Sequence, residues 1–119
     1  MKITKINVAE VSEESLCIAA EDGKKVYDKI KGALDREEFV QLDFVTVHDL
    51  TTAFLNRAVG ELYWEFEHGI LSEHISIAED TNSWILEKLS LVVKRAKQSS
   101  KNPTMHKDAA KDMIGTSRA

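Results

Sequence analysis

Five polar residues with hydrogen-bonding or charged side chains lie close together in the middle of the sequence. Asp49, Thr51 and Thr52 precede a strongly amphipathic stretch, and Asn56 and Arg57 lie on its polar side. Aspartate and threonine are preferred where helices begin, and the unpaired N–H groups and dipole of a helix start also favour recognition. The segment therefore predicts a binding site at the start of a helix, and we expect these five residues to contact a partner.

Elsewhere, the reactive residue types form no recognisable catalytic or metal-binding pattern. Cys17 lies in an apolar run with no histidine beside it, which favours a small core residue over a nucleophile. His68 and His74 are six residues apart, a spacing that matches no helical metal pair, so we interpret them as exposed loop residues. The five glycines are isolated and form no phosphate-binding loop. We expect no catalytic residues, no metal and no cofactor.

A second candidate surface lies on the last predicted helix. Trp84 and Leu91 are seven residues apart, two helical turns along one line, and both lie off the main apolar stripe. Tryptophan is enriched at the centres of protein interfaces, so this line is a secondary candidate for partner contact. The alternative is that Trp84 packs over the edge of a loop.

The composition is that of one globular domain. The chain has 119 residues, of which 43% are hydrophobic and 30% are charged. A single cysteine excludes an internal disulfide framework. No apolar run approaches the roughly 18 residues that a membrane-spanning helix needs, and the polar N-terminus lacks the apolar core of a signal peptide. We therefore expect a cytoplasmic protein that has no membrane partner.

Charge is unevenly distributed along the chain. Residues 1–93 hold nine Lys or Arg against 18 Asp or Glu, whereas residues 94–119 hold seven against two. The acidic body argues against nucleic acid as the main ligand, because its charge would repel phosphate groups. We expect a folded domain over residues 1–98 and a basic, flexible tail over residues 99–119.

Strands and helices alternate in the predicted order of elements. The hydrophobic pattern predicts strands over residues 3–9, 16–19, 38–45 and 74–78, and helices over residues 23–34, 52–66 and 82–98. This order predicts an α/β fold with one small mixed sheet of about four strands and helices packed on it. The strand 38–45 is expected at the centre, with Asp43 hydrogen-bonded to backbone or at an open strand end. Gly60, inside a predicted helix, suggests close approach to another backbone.

The segment LDFVTVHDLTTAFLNRAVGELY, residues 42–63, resembles the signature of STAS and STAS-like domains. Members of these families have an apolar–Asp–apolar strand end, a loop with a small apolar anchor, and a polar Ser/Thr turn that leads into an amphipathic helix. The upstream run EDGKKVYDKIKGAL is similar to the first helix of a bacterial STAS-like family that has no assigned function. The resemblance covers about residues 3–98 and implies a STAS-like α/β fold.

In anti-sigma-factor antagonists, the turn before this helix reads Asp-Ser-Ser-Gly, and its first serine is phosphorylated by a kinase related to histidine-kinase ATPases. The same turn here is Thr51-Thr52-Ala53-Phe54, so the resemblance puts Thr52 at the phospho-acceptor position, although the flanking residues differ. The resemblance implies a non-enzymatic signalling module whose protein partner is a histidine-kinase-like ATPase. Two alternatives remain open. Thr51 and Thr52 are only helix caps, or the domain senses a nucleotide or small molecule in the same strand-end cleft.

Overall fold

Parallel strand pairing organises the fold in the computed structural model, which describes residues 2–13 and 16–100. The strands are β1 Ile3–Asn7, β2 Leu16–Cys17, β3 Phe39–Asp43, β4 Asp49–Leu50 and β5 Ile75–Ile77. One sheet has the order β1–β3–β5, and β2 and β4 form a second sheet, with every pairing parallel. The predicted α/β fold is therefore confirmed. The predicted single mixed sheet of four strands is not, because the described residues form three plus two strands, all parallel.

Helices follow every strand except β3, which is joined to β4 by residues 44–48 without a helix. They are α1 Val8–Ser12, α2 Ala20–Asp35, α3 Thr52–Leu55, α4 Leu62–Glu65, α5 His68–His74 and α6 Ser83–Ser100, with a π-helical segment, Asn56–Gly60, between α3 and α4. The apolar stripe of α2 is buried at Val26, Ile30, Ala33 and Leu34, as its spacing predicts. None of the helices in the described residues combines the length and hydrophobicity that a membrane span needs.

Strand β3 lies at the centre of the larger sheet, as predicted. It pairs with β1 from Ile3↔Phe39 onward on one side and with β5 on the other. Val40 and Leu42 are buried against the core, which explains the strongly apolar sequence of this strand. Asp43 ends the strand, where it accepts a hydrogen bond from the Val45 N–H at 3.0 Å. The expectation of a hydrogen-bonded aspartate at a strand end is confirmed.

A buried carboxylate also stabilises the beginning of β3. Glu38 accepts hydrogen bonds from the Arg36 guanidinium at 2.9 Å and from the Thr4 hydroxyl at 2.6 Å. These bonds, from Arg36 first and then Thr4, lower the pKa of Glu38 to about 2. The carboxylate therefore links β1 to the chain between α2 and β3.

Two segments fold differently from their predicted form. The predicted strand 3–9 ends at Asn7, because the Asn7 side chain accepts a hydrogen bond from Glu10 N at 2.9 Å and caps α1. The segment before β5 was expected to be a loop but forms α5, in which Leu71 is the buried residue. One buried position is too little to give a recognisable helical period, so the sequence pattern did not indicate this helix.

The helix that follows β4 contains an under-wound segment that the sequence analysis did not predict. Its bond from Glu61 N–H to the Asn56 carbonyl, at 3.0 Å, spans five residues instead of four. The apolar residues here recur every four positions, in the series Phe54, Ala58, Leu62 and Leu55, Val59, Tyr63. An α-helix has 3.6 residues per turn, so such a stripe would drift away from the core. A π turn holds more residues and keeps both series directed inward, with Tyr63 half-buried and the others buried.

The close approach between backbones occurs at Gly23 on α2. An ideal Cβ built on Gly23 would lie 2.5 Å from the Phe54 carbonyl oxygen. At Gly60 the nearest atoms are side-chain atoms, Asn56 Oδ1 at 3.4 Å and Val92 Cγ1 at 3.5 Å. The expectation that Gly60 marks a backbone contact is therefore wrong. It is Gly23 that lets α2 cross the helix after β4 at this distance.

Helix α6 closes the described part of the chain against the core. The apolar spacing predicts a buried stripe made of Ile85, Leu86, Leu89, Val92, Val93 and Ala96. Most of these residues are buried or half-buried, whereas Leu86 is exposed. The helix continues to Ser100, two residues beyond the predicted boundary at 98. The rest of the predicted tail, residues 101–119, lies outside the described residues.

Candidate functional site

The predicted site lies where β4 passes directly into α3. Asp49 and Leu50 form β4 and pair with Leu16 and Cys17 of β2. The Asp49 side chain points outward, and Leu50 is fully buried. Because the predicted loop at this point contains a strand, the segment is held by main-chain pairing as well as by helix capping.

The two threonines at the start of α3 have different roles. The Thr51 hydroxyl accepts a hydrogen bond from Phe54 N at 3.1 Å and donates one to the Ile18 carbonyl at 2.7 Å. Thr51 is therefore a helix cap that also ties α3 to the end of β2. Thr52 is half-buried, and its hydroxyl makes no hydrogen bond with the residues that the structure describes. Of the two, Thr52 has the hydroxyl that remains available for a chemical step.

The backbone of Leu50 is fixed by two charged side chains. Because the Thr51 N–H bonds to the Cys17 carbonyl, the N–H and carbonyl of Leu50 are directed away from β2. Asp49 Oδ1 accepts from the Leu50 N–H at 2.8 Å, and Lys88 Nζ donates to the Leu50 carbonyl at 2.6 Å. The contact of Lys88 with this site was missed by sequence analysis, because it joins residues 38 positions apart.

Lys88 also connects the two candidate surfaces. It lies four residues after Trp84 and three before Leu91, and therefore on the same side of α6. Leu91 is exposed, whereas Trp84 is half-buried and packs against the core. Through Lys88, this line on α6 lies next to the β4–α3 junction. The spacing of Lys88 predicts only that it shares a helix side with Trp84 and Leu91, and no signal in the sequence indicates its contact with β4.

Two exposed apolar residues flank the β4–α3 junction. Leu16 and Ile18 are 48% and 46% exposed, on either side of Cys17, which is fully buried. Alternation along a strand puts Leu16 and Ile18 on the outer face, beside Asp49. We call the group Leu16, Ile18, Asp49 and Thr52 the junction surface. Its apolar members were not among the predicted site residues.

Asn56 and Arg57 do not both belong to this surface. Arg57 forms an ion pair with Glu61 and lies with its guanidinium 5.8 Å from the centre of the Tyr27 ring. Arg57 therefore contacts α2 and the following turn of its own helix. Asn56 is exposed at the start of the π segment. The structure thus brings Asp49, Thr51 and Thr52 together. It directs the Arg57 side chain away from them, to Tyr27 and Glu61.

A small crevice opens at the carboxyl ends of β3 and β5, where parallel sheets commonly bind ligands. Its volume is about 140 Å³, and its lining residues are Phe44, Val45, Thr46, Val47, Asp80, Thr81 and Asn82. Its residues 44–47 come shortly before β4 in the chain, and its residues 80–82 come between β5 and α6. Its lining residues do not include Asp49, Thr51 or Thr52.

His68, His74 and Cys17 all contact other parts of the fold. His68 and His74 lie at the two ends of α5, and both are half-buried, so their interpretation as exposed loop residues is wrong. His68 Nε2 is 2.8 Å from Ser100 Oγ, and the His74 ring stacks on Phe39 at 4.6 Å. Cys17 is buried in the core, as predicted. Within residues 2–13 and 16–100, no group of three or more His, Cys, Asp or Glu could hold a metal ion.

Comparison with known proteins identifies the family. No curated protein and no solved structure matches the chain. Residues 22–83, just over half of the chain, match the family described as the STAS-like domain of unknown function (DUF4325). The matched residues include most of α2, the central strand β3 and the β4–α3 junction. The resemblance seen in the sequence is thereby confirmed over residues 22–83, and the chain belongs to this STAS-like family.

Proposed function

We propose that this chain is a non-enzymatic protein-interaction module in a signalling or regulatory system, and that it binds its partner through the junction surface. The observation that carries the proposal is the exposure of Leu16 and Ile18 beside Asp49, at the strand that leads into Thr52. Apolar side chains surrounded by polar groups are characteristic of protein-binding surfaces. The buried Cys17 and Leu50 hold this surface in place from beneath.

The shape of the site favours a protein over a small molecule. Pockets for drug-sized ligands and cofactors have volumes of roughly 300–1,000 Å³. The crevice at the ends of β3 and β5 measures about 140 Å³. It is too small to enclose a nucleotide, whereas the exposed outer face of β2 and β4 is open to a protein surface. Sensing of a nucleotide or small molecule is therefore the less favoured alternative.

Binding would be regulated by charge at Thr52. Thr51 is fully used as a cap, whereas the Thr52 hydroxyl has no hydrogen-bond partner among the described residues. A phosphate on Thr52 would add nearly two negative charges close to Asp49, which would repel an acidic partner surface. The family resemblance suggests a histidine-kinase-like ATPase as the partner and kinase.

A capture experiment with matched variants tests the proposal. The tagged full-length chain is incubated with lysate of its source cells, and captured proteins and phosphorylated sites are identified by mass spectrometry. Ile18→Asp should abolish capture of the partner, because it adds a charge to the apolar part of the junction surface. Ile70→Asp is the control, since Ile70 is 38% exposed on α5. Equal capture by both variants would show that the junction surface is not the binding site.

A further inference from the structure

A second concave surface, formed by α2 and the helix after β4, combines aromatic rings with carboxylates. It is an open cleft of about 570 Å³ lined by Tyr27, Glu61, Trp64 and Glu65. Trp64 is 39% exposed, and both glutamates are exposed. Aromatic faces next to carboxylates suit the ammonium group of lysine or the guanidinium of arginine. We call this surface the acidic–aromatic cleft.

The cleft already binds one cation from its own chain. Arg57 pairs with Glu61 and lies over the Tyr27 ring at 5.8 Å. Glu65, in contrast, accepts its hydrogen bond from the Tyr27 hydroxyl, a neutral group. Burial, followed by this hydrogen bond, raises the pKa of Tyr27 above its ordinary value, so the hydroxyl stays protonated as a donor.

None of the lysines of α2 forms an ion pair with Glu65 in the described part of the chain. Lys31 acts electrostatically on Glu65, but its ammonium group pairs with Asp35 at 3.0 Å. Lys24 is likewise paired, with Asp28 at 3.0 Å. Within the described residues, Glu65 therefore has no ion-pair partner, and the cleft has room for a further cation.

The end of the described chain is linked, through His68 and Tyr63, to the helix that contributes to this cleft. Ser100 Oγ lies 2.8 Å from His68 Nε2, and the His68 ring packs edge-on against Tyr63 at 5.1 Å. Tyr63 directly precedes Trp64. The end of α6 is thus held beside the helix that supplies two glutamates and the tryptophan of the cleft.

The segment that follows has the complementary charge and sufficient length. Residues 101–119 hold four Lys or Arg against two Asp or Glu, and residues 1–100 hold 12 against 18. Lys107 and Lys111 are seven and 11 residues beyond Ser100. At about 3.3 Å per extended residue, they can reach roughly 23 Å and 36 Å from that point.

We propose that the basic segment 101–119 binds the acidic–aromatic cleft of its own chain and places a lysine ammonium group against Trp64 and Glu65. Because the segment is covalently attached, its effective concentration at the cleft is in the millimolar range. A contact made of one ion pair and one cation–π interaction is weak between separate molecules, and attachment to the same chain favours it over binding of a free ligand. The bound segment excludes other basic ligands from the cleft.

The fluorescence of Trp64 tests this proposal in the full-length chain. The chain has two tryptophans, so Trp84→Phe leaves Trp64 as the only emitter. Quenching by acrylamide, a neutral probe, measures how accessible Trp64 is. Lys107→Glu combined with Lys111→Glu should raise the quenching constant by about twofold, and so should about 0.5 M NaCl, because both weaken the ion pair.

Three controls identify the groups involved. Lys107→Arg combined with Lys111→Arg keeps the charge and should leave quenching unchanged. Glu65→Gln should raise quenching as the double lysine-to-glutamate variant does. Glu67→Gln, at an exposed glutamate two residues further on, should not. Circular dichroism of each variant confirms that the fold is retained.

The pattern of quenching also separates the possible occupants of the cleft. Binding within one chain predicts a quenching constant that does not change with protein concentration from about 1 to about 100 µM. Protection of Trp64 that increases with concentration would instead identify a second copy as the occupant and overturn the proposal. Equal quenching in the Trp84→Phe protein with and without the two lysine-to-glutamate substitutions would overturn it as well.

Discussion

The packing of α2 against the helix after β4 leads to a sharp prediction at Gly23. An ideal Cβ at Gly23 would lie 2.5 Å from the Phe54 carbonyl oxygen and 3.3 Å from Ala58 N. Both atoms belong to the main chain, so neither can rotate away as a side chain would. Gly23→Ala must therefore push α2 away from the helix that begins at Thr52, and it opens the packing around buried Phe54.

The magnitude follows from two opposing effects. Alanine is favoured over glycine inside a helix by about 1 kcal/mol. Overpacking a well-filled site costs about 1–3 kcal/mol, and a main-chain clash at 2.5 Å puts Gly23→Ala at the upper end of that range. We expect the free energy of unfolding to fall by about 2 kcal/mol. Gly32→Ala is the matched control on the same helix, because its Cβ would meet only Arg36 Nη1, at 3.4 Å.

Urea denaturation followed by circular dichroism compares these two variants with the unmodified chain. Gly32→Ala should gain about 0.5–1 kcal/mol, because it has the propensity gain without the clash. The two alanine variants should therefore differ by about 3 kcal/mol. If Gly23→Ala were as stable as Gly32→Ala, α2 would not cross the helix after β4 as closely as described.

Other substitutions test the buried core at Leu62, the helix cap at Thr51 and the carboxylate of Glu38. Leu62→Ala should lower the free energy of unfolding by about 2–5 kcal/mol, whereas Leu86→Ala, at an exposed site, should change it by less than about 0.5 kcal/mol. Thr51→Ala should lower the free energy of unfolding by about 1–2 kcal/mol through loss of the cap, and Thr52→Ala by less than about 0.5 kcal/mol. Urea denaturation measures the leucine and the threonine variants. Because the pKa of Glu38 is lowered to about 2, its stabilising contribution exists above the unfolded-state value near 4.3 and is lost as pH falls towards 2. Glu38→Gln should therefore flatten this part of the acid denaturation curve.

The parts of the fold that could be predicted are those specified by local hydrophobic patterns. The stripe of α2 and the apolar strand β3 are continuous in sequence, and both are buried as predicted. The π segment was also encoded locally, in apolar residues that recur every four positions. A spacing of four is also typical of an ordinary amphipathic helix, so the pattern alone predicts an α-helix throughout this segment.

The features that could not be predicted depend on contacts between distant segments. Strand β2 lies within the strand predicted over residues 16–19, but its partner β4 has only two residues, too few to show a periodicity, and forms by pairing with β2. The bond from Lys88 to the Leu50 carbonyl joins α6 to β4. At the site, neighbours along the chain such as Thr51 and Thr52 were predicted together, whereas Leu16 and Ile18 are brought there only by the pairing of β2.

The affinity of the captured partner for variants at Thr52 tests the proposed function most directly. Calorimetric titration of the purified partner into the full-length chain gives the dissociation constant for each variant. If charge at the junction surface controls binding, Thr52→Glu should weaken the complex by about tenfold or more, and Thr52→Ala should stay within about twofold of the unmodified chain. Equal affinities for all three proteins, or an equal loss in both variants, would contradict a charge-regulated binding site at Thr52.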